Sequence, residues 1–198
     1  MTRGRGGQTG FSLLELLVVI VLISVLVSVA IDRLIVLRAK AEAAAMQQVL
    51  GSIRSGIQIR VAELLATQRA AEIPALIGSN PMLRLAERPA NYLGELFGPD
   101  PGALAPGSWY FDTREGALVY LVDNTDFFDS ELPPPARARF AIEAVFEDLN
   151  GNGHYDPGID RVGGIRLASR SAYTWRDSIA WFDWPRSERA PADKRPAR

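Results

Sequence analysis

The chain has 198 residues, 47% of them hydrophobic, so it can form one ordinary domain plus an extra element and is too apolar to be disordered throughout. Its formal net charge is −1 with no long single-signed block in the centre, which argues against nucleic acid, a partner that calls for a clustered basic face. With no cysteine and a single histidine, disulfides, thiol catalysis, cysteine-based zinc sites and His-rich metal centres are excluded.

Residues 1–10, MTRGRGGQTG, are short and polar, with Arg3 and Arg5 and no acid. Residues 11–31, FSLLELLVVIVLISVLVSVAI, are almost wholly apolar. As a helix that run is about 31 Å long, enough to cross a hydrocarbon core of roughly 30 Å. Arginines before the span and a larger polar region after it predict a cytoplasmic amino terminus and an exported remainder. A cleaved secretory signal is one alternative, because Ser28-Val29-Ala30 has the small-x-small spacing of a leader-peptidase site. A plain membrane anchor is another. Neither explains Glu15, because a carboxylate inside a spanning helix costs on the order of 2.5–3.5 kcal/mol and marks a functional position.

The string Gly10-Phe11-Ser12-Leu13-Leu14-Glu15-Leu16-Leu17 resembles the signal of type IV prepilins and type II secretion pseudopilins. The resemblance implies cleavage between Gly10 and Phe11 by prepilin peptidase and N-methylation of the new terminal Phe11. It implies a leader at 1–10, a transmembrane helix at 11–31 in the bacterial inner membrane, and a carboxy-terminal domain in the periplasm. Its implied partners are other pilin or pseudopilin subunits, an inner-membrane assembly platform and membrane lipid. Glu15, the fifth residue after the cut, is then an assembly residue that meets the amine of a neighbouring subunit and sets the filament register. Pairing of Glu15 with the amine of its own helix is the competing reading; in low dielectric either pairing relieves two costly lone charges. Many members carry proline where this chain has Asp32, so the kink proline would bring is not expected here. The missing cysteines lean towards a pseudopilin, since many pilins close their carboxy-terminal region with a disulfide. Glu15 argues against the tip pseudopilin, which typically lacks this acid.

Beyond the span, Leu34, Leu37, Ala41, Ala45, Val49, Ile53, Ile57, Val61 and Leu64 recur at spacings of three and four, the stripe of an amphipathic helix. One long helix is predicted over 12–67, its second half (32–67) packed on a domain, with Gly51 and Gly56 marking a bend or a close backbone contact. Residues 68–107 are rich in proline and glycine and predict a loop with short helices at 70–77 and 81–87. Strand patterns follow at 108–112, 117–123, 139–147, 162–168 and 172–182, with a turn at Arg114-Glu115-Gly116. A long helix on an antiparallel sheet occupying 108–184 is an α+β, pilin-like architecture. The charged, proline-rich residues 185–198 read as a disordered tail.

Residues 148–156, DLNGNGHYD, place Asp148, Asn150, Asn152 and Asp156 at positions 1, 3, 5 and 9 of an EF-hand-type calcium loop, with glycine at 6 and the His154 carbonyl at 7. Position 12, normally a bidentate Glu, is Ile159; Asp160 follows and closes the cage with a shift of one residue. The alternative is a bare hairpin turn built on Asn-Gly pairs. No nucleophile elbow, zinc-protease motif or phosphate-binding glycine loop is present, so an enzyme is not expected. The sequence therefore predicts a filament subunit, with a membrane-anchored periplasmic calcium- or ligand-binding domain that does not polymerise as the rival.

Overall fold

A computed structural model describes residues 12–153, 155–156 and 158–176; the leader, Phe11, His154, the end of the strand expected over 172–182, and the tail 185–198 lie outside them. Helix α1 runs Leu13–Ala66, close to the expected limits, and both ends have a physical cause. Ser12 caps its start, its Oγ accepting from the Glu15 N–H at 3.1 Å, which is one half of a capping box. At the other end Gln68 turns to φ +57°. Arg69 N–H then reaches back to the Leu64 carbonyl at 2.7 Å and Gln68 N–H to Leu65 at 3.1 Å, the paired bonds of a Schellman closure.

The chain divides into two compact units, residues 1–39 and 40–198. In the first, the apolar side chains of α1 from Leu13 to Ile35 are exposed, while Val36 is half-buried and Ala39 buried; this is the one helix among the described residues long and apolar enough to cross a membrane. The second unit is the folded domain. Its strands are β1 (Tyr92–Leu96), β2 (Trp109–Asp112), β3 (Ala117–Leu121), β4 (Phe128–Ser130), β5 (Arg137–Glu147), β6 (Arg161–Ser169) and β7 (Tyr173–Trp175). Five of them form a sheet in the order β1-β2-β3-β5-β6, while β4 and β7 make a separate ribbon. The β2–β3, β3–β5 and β5–β6 pairs are antiparallel.

The α+β class is as the sequence predicts, but the sheet is mixed: β1 lies parallel to β2 at the edge, inside the segment expected to be loop. Its five residues are only half-buried in alternation. Gly94 stands at φ +97° where the register slips between Tyr92 and Glu95, a glycine-bearing irregularity that hides the strand pattern. The two expected short helices are present as 3₁₀ turns, Ala70–Leu76 and Pro81–Arg84.

The core lies between α1 and one face of the sheet. Met46, Leu50, Ile53 and Ile57 pack with Trp109, Phe111, Leu118, Tyr120, Phe140 and Ile142. Met46 and Leu50 replace the expected Ala45 and Ala41 on the buried side; those alanines are exposed, because the larger neighbours carry more apolar area inside. Trp109 anchors this core, its ring centroid 4.6 Å from that of Tyr120. The opposite face of the sheet has a small second cluster, Tyr110, Val119 and Leu121, covered by Leu96 and Leu104. Gly56 is required by a close approach: a Cβ there would run into the Arg84 backbone carbonyl, whereas one at Gly51 meets nothing within 4 Å.

Candidate functional site

The amino-terminal signal is the first site. Gly10 and Phe11, the expected cleavage and methylation residues, lie outside the described residues. The structure does place their neighbours. Ser12 is the cap and Glu15 lies in the first turn of α1, so its backbone N–H is already satisfied and its carboxylate is exposed. A carboxylate in the first turn complements the positive end of the helix dipole. Among the described residues no ion pair includes Glu15, so its charge is available to a partner outside them.

The second candidate is the loop 148–160, which joins β5 to β6. The Asp148 carboxylate accepts the N–H groups of Gly151 and Gly153, both at 2.7 Å. Those backbone bonds, led by Gly153, hold the Asp148 carboxyl below the usual carboxylate range. Asp156 Oδ2 accepts from the side-chain amides of Asn150 and Asn152, each at 2.6 Å. Asp160, buried, accepts from the N–H groups of Leu149 at 3.0 Å and Asp156 at 2.7 Å. The structure thus joins Asn150, Asn152 and Asp156 through side chains and ties Asp148 and Asp160 to backbone; His154 lies outside the described residues. Among the described residues no group of three or more His, Cys, Asp or Glu side chains is placed to hold a metal ion.

A third cluster was not anticipated. Glu42, on α1, accepts from Tyr120 Oη at 2.9 Å, Asp123 N at 2.7 Å, Asn124 N at 2.9 Å and Asn124 Nδ2 at 2.6 Å. Burial, reinforced by the Glu42 charge, pushes the Tyr120 phenol well above its ordinary value. The available signal was position: Glu42 sits four residues before Met46, on the face of the buried stripe. A related network centres on buried Asn80, which accepts from Met82 N–H and donates to Tyr92 Oη and Glu95, each at 2.8 Å. It ties the Pro81–Arg84 turn to β1.

Searches against curated proteins and solved structures found no match to this chain. Residues 5–31 match the family model of the prokaryotic N-terminal methylation motif. That stretch contains the Gly10–Phe11 bond, the Ser12 cap, Glu15 and the apolar run of α1, and so the chain carries the prepilin-type signal of type IV pilins and pseudopilins.

Proposed function

We propose that the chain is a structural subunit of a type II secretion pseudopilus or a type IV pilus-like filament, cut after Gly10 by prepilin peptidase and polymerised through α1. The observation that carries this reading is the methylation motif at 5–31, whose residues from Leu13 onward form a helix capped at Ser12, with Glu15 in its first turn. In this reading α1 anchors the chain once in the bacterial inner membrane, the domain faces the periplasm, and an assembly platform and other subunits are the partners. The absence of cysteine favours the pseudopilus. The matched signal belongs to a structural rather than a catalytic class. Replacing Glu15 with Ala tests the assembly role: cleavage after Gly10 is expected to persist while cross-linked filaments are lost. Undiminished filaments would contradict the assembly role of Glu15, whereas a chain that forms no filaments even with Glu15 intact would favour an anchored domain that does not polymerise.

Calcium binding at 148–160 forms the second part of the proposal, supported by the convergence of Asn150 and Asn152 on Asp156. Asp148, Asn150, Asn152, Asp156 and Asp160 supply the hard oxygens calcium takes, with the His154 carbonyl as the seventh-position ligand. Millimolar calcium is expected to raise the melting temperature of the chain, and Asp148→Ala to abolish the rise. A melting temperature unchanged by calcium and by chelator would leave the loop as a hydrogen-bonded turn.

A further inference from the structure

Apolar residues on α1 continue beyond the point where charge first interrupts the span. After Arg33 the chain reads Leu34-Ile35-Val36-Leu37 before the next cation, Arg38. Leu34, Ile35 and Leu37 are 56%, 41% and 59% exposed. On a helix these three and the half-buried Val36 point in four directions, with Ile35, Val36 and Leu37 about 100°, 200° and 300° round from Leu34. This turn is therefore apolar on all sides. A single stripe suits a protein partner, but a helix apolar all round calls for an apolar surrounding medium.

Length decides where in the medium the turn sits. Counted from Leu13, the apolar run to Ile31 covers about 28 Å, and continuing to Leu37 brings it to about 37 Å. The hydrocarbon core is about 30 Å thick, and about 40–45 Å with the headgroup layers included. The added turn thus exceeds the hydrocarbon and fits the headgroup layer. It is bracketed by Arg33 and Arg38, both exposed. Guanidinium groups bind phosphate oxygens bidentately, and their aliphatic stems lie along apolar surface while the charged ends reach the headgroups.

We propose that residues 34–37 of α1 are seated in the lipid headgroup layer, with Arg33 and Arg38 holding lipid phosphates, so that the membrane contact ends at Arg38 rather than at Ile31. The proposal rests on the reading of α1 as a membrane span. The absence of cysteine makes a direct test available. Val21→Cys, Leu37→Cys and Ser55→Cys are made singly in the full chain, which is reconstituted at high lipid dilution into phosphatidylglycerol or phosphatidylcholine vesicles. Each is then reacted with a membrane-impermeant maleimide. Ser55→Cys is expected to label freely, Val21→Cys not at all, and Leu37→Cys slowly, more slowly in the anionic vesicles. Adding Arg38→Gln is expected to speed labelling at position 37 roughly fivefold in those vesicles, the factor for one cation at an anionic surface. Labelling of Leu37→Cys at the Ser55→Cys rate overturns the proposal while leaving the span intact. Labelling of Val21→Cys overturns the span itself. Protection of position 37 that disappears on further lipid dilution assigns the cover to a second copy, and protection indifferent to Arg38→Gln removes the phosphate contact; either result also overturns the proposal.

Discussion

Glu42 gathers four donors, one from Tyr120 in β3 and three from the turn after it, two of them backbone N–H groups. Truncating a partner of charge-assisted bonds leaves those donors without an acceptor. Glu42→Ala is accordingly expected to destabilise the domain by about 2–3 kcal/mol, seen as a lower urea midpoint with an unchanged slope. Tyr120, bonded to the same carboxylate, adds a pH dependence. Its phenol is raised in the folded state, so its contribution is present in full below about pH 10, the unfolded value, and is lost as pH rises through the folded one. Melting temperatures should therefore be level up to about pH 10 and fall beyond it, with Tyr120→Phe flattening that alkaline fall. At Gln68 the sign reverses. A side chain held at φ +57° is strained where glycine is not, so Gln68→Gly is expected to stabilise the chain by about 1 kcal/mol, read as a higher urea midpoint.

Within α1, the two glycines five residues apart have opposite roles. Gly56→Ala drives a methyl group into the Arg84 carbonyl and should cost about 1–3 kcal/mol. Gly51→Ala meets open space and should stabilise the isolated chain by up to about 1 kcal/mol through helix propensity. Thermal unfolding of the two variants side by side checks both signs. The limits of α1 were legible because Ser12, the apolar run and the mixed stripe are local signals, and the β2–β3 hairpin because its residues alternate around the Arg114–Gly116 turn. The strand β1 was not: YLGEL carries a glycine at positive φ, and its pairing depends on β2, distant in sequence. The strand β4 is three residues long and exists through pairing with β7, a contact no local pattern encodes. At the site, Glu15 could be read because a lone acid in an apolar run stands out. Glu42 offered only its place on the buried face of the stripe, since its partners arrive from residues 120–124 only once the sheet is folded.

At the scale of the whole molecule, the processing signal and the folded domain are separate parts of the chain. The matched motif covers 5–31, while the sheet domain has its own wiring of Glu42, Asn80 and the 148–160 loop. This division has a physical basis: processing and membrane insertion are read from a linear segment, whereas a domain core tolerates many packings of similar volume. The role of the whole chain therefore depends on whether its linear signal is used. Mass spectrometry of the mature amino terminus, on protein taken from membranes of cells that contain a prepilin peptidase, reads this directly. A chain beginning at N-methylated Phe11 is the expected result. An intact Met1, or a chain beginning at Ile31 after cleavage at Ala30, would contradict it.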